Sequence, residues 1–157
     1  MKTLLDLGAD PYLKNNFGNS AVMLAAEFGK DKVIDVLIKN GMLAAKLNEK
    51  NEAKYTALIL AAEEGHTSCV NLLCLAGVDI DAKNKFGKSA LIMAAEFGRK
   101  DVVEVLCRKK ANVNAVSDKQ KSALMLASLK GHWEVVNSLI ENKADIHLQV
   151  GPPEGPK

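Results

Sequence analysis

The chain repeats itself. SAVMLAAEFG at 20–29 recurs as TALILAAEEG at 56–65, SALIMAAEFG at 89–98 and SALMLASLKG at 122–131, with starts offset by 36, 33 and 33 residues. A second block, DKVIDVLIKNG at 31–41, recurs with the same offsets, ending as WEVVNSLIENK at 133–143. A unit of this length cannot bury its apolar face alone, and stacking identical neighbours is what builds the core. The pattern therefore predicts an all-α solenoid of stacked helix pairs, not a closed globule around one pocket.

Each unit carries its own punctuation. Ser20, Thr56, Ser89 and Ser122 stand where the first helix should begin, with hydroxyls able to accept from free backbone N–H groups. Small pairs follow at Ala25–Ala26, Ala61–Ala62, Ala94–Ala95 and Ala127–Ser128, which lets neighbouring helices approach closely. Gly29, Gly65, Gly98 and Gly131 should end that helix in a left-handed conformation. The second helix has apolar residues at helical spacing, such as Val102, Val103, Val105 and Leu106. An aromatic content of only 4% fits small helices packed tightly together.

These units resemble the ankyrin repeat, whose period is 33 and whose signature is G-x-T-P-L-H-x-A-A. The resemblance runs over about 3–148. It departs where Ala21, Ala57, Ala90 and Ala123 replace the usual proline, and where Met23, Ile59, Ile92 and Met125 replace the usual histidine, whose hydrogen bonds must then be missing. The expected organisation is a repeat domain over 2–148. It comprises a partial unit at 2–14, units at about 15–50, 51–83, 84–116 and 117–148, and a mobile Gly/Pro tail at 149–157. The segment 42–51 adds three residues, and Lys54 stands where Gly18 and Gly87 stand in their units. A turn needing positive φ would be strained there, so a reshaped turn is expected.

The resemblance implies a β-turn finger before each helix pair and a concave face formed by finger tips and first helices, on which a protein partner docks. Carried onto this chain, the implied contact residues are Phe17, Asn19, Phe28, Tyr55, Glu64, Lys85, Phe86, Lys88, Phe97, Lys119, Lys121 and Lys130, with Trp133 at the start of the last second helix. Glu27, Glu63 and Glu96 fall on the same side, one per unit. All four phenylalanines lie in this set, and large exposed aromatics are favoured interface anchors. Their recurrence at equivalent positions also fits packing against the neighbouring unit. The family's loop asparagine, a hydroxylation position by resemblance, corresponds to Asn114.

No chemistry competes with this. There is no P-loop, G-x-G-x-x-G or G-x-S-x-G segment. His66 and His132 occupy one repeated position, as do Cys74 and Cys107, which reads as structure, with both cysteines buried in helices. The expectation is no enzyme, no cofactor and no metal. Three cysteines without a pairing pattern suit a reducing cytoplasmic or nuclear setting. The partner expected is a protein, with no membrane, nucleic acid unlikely, and the chain monomeric. From Lys83 to Gly131 there are 11 Lys or Arg against 4 Asp or Glu, which suits a partner with an acidic segment. The alternative function is an internal structural or regulatory spacer of a larger multidomain protein.

Overall fold

The computed structural model describes residues 10, 12–41, 46–149 and 151. The expected partial unit (save Asp10 and 12–14), the first residues of the inserted segment and the Gly/Pro tail (save Gln149 and Gly151) lie outside them. Among the described residues eight helices alternate: α1 (Ala21–Glu27), α2 (Asp31–Lys39), α3 (Ala57–Glu64), α4 (Thr67–Leu75), α5 (Ala90–Glu96), α6 (Lys100–Arg108), α7 (Ala123–Lys130) and α8 (Trp133–Glu141). Among the described residues there is no strand, and one isolated bridge joins Val116 to Ser122. The odd helices pack on one another in one layer, the even helices in a second, and each odd helix packs on the even helix that follows it.

The core is continuous along the stack. Ala61, Ala62, Ala94, Ala95 and Ala127 are fully buried in the odd layer, and Ile34, Val70, Leu73, Val103, Leu106 and Leu139 in the even layer. The interior odd helices α3 and α5 bury nearly every side chain, because they touch neighbours on both flanks and their own even helix. Met23, Ile59 and Ile92, standing in the family's histidine position, are almost wholly buried. Apolar packing thus fills that position.

The cap expectation holds in three units. Thr56, Ser89 and Ser122 accept from the backbone N–H of Ile59, Ile92 and Met125. Ser20 does not: its helix has no side-chain cap bond, and its buried Oγ has no partner among the described residues. The left-handed glycines are as expected, Gly98 at φ 70° among them. A Cβ on Gly98 would also lie 2.7 Å from the ring of His132, so geometry and close approach both demand glycine there.

That ring explains the repeated polar residue after each glycine. His66 Nε2 donates to the Glu27 carbonyl (2.9 Å), Arg99 Nε to the Glu63 carbonyl (2.9 Å) and His132 Nε2 to the Glu96 carbonyl (3.0 Å). A carbonyl only accepts, so both imidazoles carry their proton on Nε2. Each bond satisfies a helix-end carbonyl of the preceding unit. The loops are stitched in the same way. Lys50 and Lys83 donate to the carbonyls of Lys83 and Val116, one unit on. Asn48, Asp81 and Asn114 side chains accept from the backbone N–H of Asp79, Asn112 and Asp145.

Two expectations need correction. The turn at Lys54 is not reshaped: Lys54 takes φ 60° and donates its N–H to the Asn51 carbonyl at 2.9 Å, as Gly18 does to Asn15 and Gly87 to Asn84. Fingertip bonds on both sides, from Glu52 N–H to the Phe17 carbonyl and from Lys85 N–H to the Ala53 carbonyl, hold that turn against the strain. Cys74 is half-buried where Cys107 is buried; all three thiols are unbridged.

Candidate functional site

The fingers are held by a polar residue at their base. Asn15 Oδ1 accepts from the N–H of Phe17 and Asn19 (both 3.0 Å), and Asn84 Oδ1 from Phe86 (2.9 Å) and Lys88 (3.1 Å). Asn51 accepts from Tyr55 N–H, and Ser117 from Lys121 N–H. These loops close on their own side chains, a turn device natural to Asn and Ser. Adjacent tips are then tied by the backbone bonds already described and by one from Asp118 N–H to the Phe86 carbonyl. The result is a row presenting Phe17, Ala53, Phe86 and Lys119 at one position of successive fingers and Asn19, Tyr55, Lys88 and Lys121 at another.

The phenylalanines are open to solvent. Phe17, Phe28, Phe86 and Phe97 expose 71, 63, 47 and 44% of their surface. Packing against the next unit therefore hides only part of each. Tyr55 is half-buried; burial and the nearby Glu63 carboxylate push its hydroxyl up from the ordinary tyrosine range.

A groove of about 520 Å³ lies between the first two fingers and the helices behind them. Phe17, Tyr55, Leu60, Glu27, Glu63 and Lys85 are among the residues that line it. Glu63 is half-buried, and that burial, with the carboxylates of Glu64, Glu96 and Glu27, raises its pKa; Lys88 pulls it the other way.

The equivalent position differs in the third unit. There Lys88 Nζ meets Glu96 Oε2 at 2.5 Å, both largely screened from solvent. Among the described residues neither Glu27 nor Glu63 makes an ion pair. Asn19 and Tyr55 stand where Lys88 stands, so these two units lack the internal cation. In the fourth unit Lys121 is present but Leu129 replaces the carboxylate.

Of the residues the sequence singles out, Phe17, Asn19, Tyr55 and Lys85 come together around the groove. Others do not join it. Glu64 lines a separate polar hollow with Arg99, Lys100 and Glu134. Trp133, 73% exposed, lies beside Lys100 and Glu104 on the even-helix side. Lys121 borders a hollow with Leu124, Leu129 and Ile146 at the last unit, and Lys119 and Lys130 are exposed. The sequence reading passed over the finger-base residues Asn15, Asn51, Asn84 and Ser117, although their offsets of 36, 33 and 33 match the repeat.

Burial raises the pKa of the Cys69, Cys74 and Cys107 thiols, which disfavours the nucleophilic thiolate. Among the described residues no cluster of metal-ligating side chains forms, and no helix is long and apolar enough to cross a membrane.

The family model described as Ankyrin repeats (3 copies) matches residues 1–84 and 69–150. The chain belongs to the ankyrin-repeat family. It is 38% identical over 82 residues to the nuclear factor NF-kappa-B p105 subunit of Rattus norvegicus, covering 52% of this chain and 8% of that protein. It is likewise 38% identical over 74 residues to ankyrin repeat domain-containing protein 63 of Mus musculus, covering 46% of this chain and 19% of that one. The chain thus spans a small part of the relatives it matches. Ankyrin arrays are in general protein–protein interaction modules.

Proposed function

We propose that this ankyrin array binds a protein partner across its fingers and odd helices, without catalysing a reaction. The observation that carries the reading is the row of exposed aromatics, Phe17, Phe28, Phe86 and Phe97, set on fingers and helix ends that backbone bonds hold in place. Preorganised aromatic anchors bind without a large ordering cost, and a few of them dominate interface energy. Lys119 and Lys121, on the last finger, suit an acidic segment of that partner and would speed its encounter. The unbridged thiols suit a reducing cytoplasmic or nuclear setting.

Changing Phe86 and Tyr55 together to Ala should abolish partner capture and leave the helical circular dichroism intact. Unchanged capture by that variant would place the site elsewhere. A second reading, a spacer or regulatory segment of a larger protein, draws on the length of the relatives; under it, the array would serve equally well with its finger aromatics removed.

A further inference from the structure

We propose that the groove between the first two fingers receives an arginine or lysine side chain of the protein partner, seated against Phe17 and Tyr55 and paired with Glu27 and Glu63. This rests on the protein-binding reading and names the chemistry the first two units recognise.

The molecule supplies its own template. In the third unit a finger residue, Lys88, reaches the carboxylate at the end of the odd helix, Glu96. The first two units keep that carboxylate, as Glu27 and Glu63, on the same helix position. They replace the lysine by Asn19 and Tyr55, and among the described residues no other cation pairs with either carboxylate. Asn19 is itself engaged, accepting from the Asn51 side-chain amide at 2.8 Å. Glu52 also lines the groove.

Lys85 also lines the groove, but among the described residues it forms no ion pair with these carboxylates. Its Nζ lies 5.0 Å from the centre of the Phe86 ring, on the neighbouring finger residue. The groove therefore presents three carboxylates against one lysine, together with two aromatic rings. A cation that gains a ring face and two carboxylates in a partly desolvated groove is bound more strongly than by an exposed carboxylate alone. The carboxylate of Glu63 is half-buried among those of Glu64, Glu96 and Glu27, which Lys88 only partly offsets.

The test uses the full chain labelled with 15N and titrated with N-acetyl-arginine methylamide, beside its uncharged citrulline analogue. Amide shifts should concentrate at Phe17, Glu27, Tyr55 and Glu63 with the arginine probe and be absent with citrulline. Glu27→Gln combined with Glu63→Gln should weaken arginine binding about tenfold, the loss of a charge-assisted pair. Tyr55→Lys supplies the missing internal cation and should block the probe too. Shifts spread evenly over exposed acids such as Asp101 and Glu134, or binding unaffected by the double change, would overturn the assignment. A protein partner that needs Phe86 and Tyr55 but tolerates the two glutamines also overturns it, while leaving the protein-binding reading standing. A partner indifferent to both sets of changes removes both.

Discussion

The third unit and the first two share a scaffold and differ in how one carboxylate is neutralised. Glu96 has Lys88 from its own finger; Glu27 and Glu63 have none. The stitching around them is the same: a ring or guanidinium from the next unit donates to the carbonyl of Glu27, Glu63 and Glu96 alike. Backbone architecture in a repeat protein is thus conserved from unit to unit within this one chain, while the charge balance of the open face is set unit by unit. Packing demands the first at every step of the stack; nothing in the stack demands the second.

The comparison breaks first if the scaffolds are not equivalent. Leu73 and Leu106 occupy the same even-helix position and are both fully buried. Changing either to Ala should cost about 2–5 kcal/mol in chemical denaturation, with similar values for the two sites. A large disparity would mean that the units differ in their cores as well as on their faces.

A smaller effect tests the fingers. Lys54 holds a left-handed turn that Gly18 and Gly87 hold without a Cβ. Lys54→Gly should raise stability by about 1 kcal/mol, the cost of placing an L-residue in that region. A loss of stability would show that the lysine side chain contributes something the turn geometry does not reveal.

The smallest effect is the sharpest, because its sign should reverse between units. Glu96→Gln removes one half of a sheltered ion pair and should destabilise the array by about 1 kcal/mol or less. Glu63→Gln removes an unpaired carboxylate beside other carboxylates and should stabilise it slightly. Folding raises the Glu63 pKa, so the folded state holds its proton more firmly than the unfolded chain. Glu63 therefore favours the fold most below its ordinary carboxylate range and loses that contribution as pH rises through the raised value. Comparing the two variants between pH 4 and 7 by thermal melting checks the sign: Glu63→Gln should gain on the parent chain as pH rises. Equal signs in both units would erase the distinction between them.

Much of this fold is legible in the sequence because it is local. Hydroxyl residues at the helix starts, paired small residues and Gly29, Gly65, Gly98 and Gly131 each act within a few residues, and the repeat states them four times. The bonds between units are not local. Nothing in the spacing of His66 shows that it reaches the Glu27 carbonyl, although Lys30, His66, Arg99 and His132 form a series of long polar residues at one position. Lys54 misleads for a related reason: propensity argues for a reshaped turn, and neighbouring fingertips override it. Exposure of the phenylalanines can be anticipated from the resemblance. The groove cannot, since it depends on which of Asn19, Tyr55 and Lys88 faces a carboxylate across eight residues of chain.

The fingertip bonds also give the array a fixed gauge. Helices packed side by side sit about 8–10 Å apart, and an extended chain advances about 3.3 Å per residue. A peptide drawn across these fingers would meet a new one at every third residue or so. Because neighbouring tips are bolted through their own backbones, that interval cannot stretch to suit a poor match, and the order of side chains along the visitor would be read against a ruler with unequal markings.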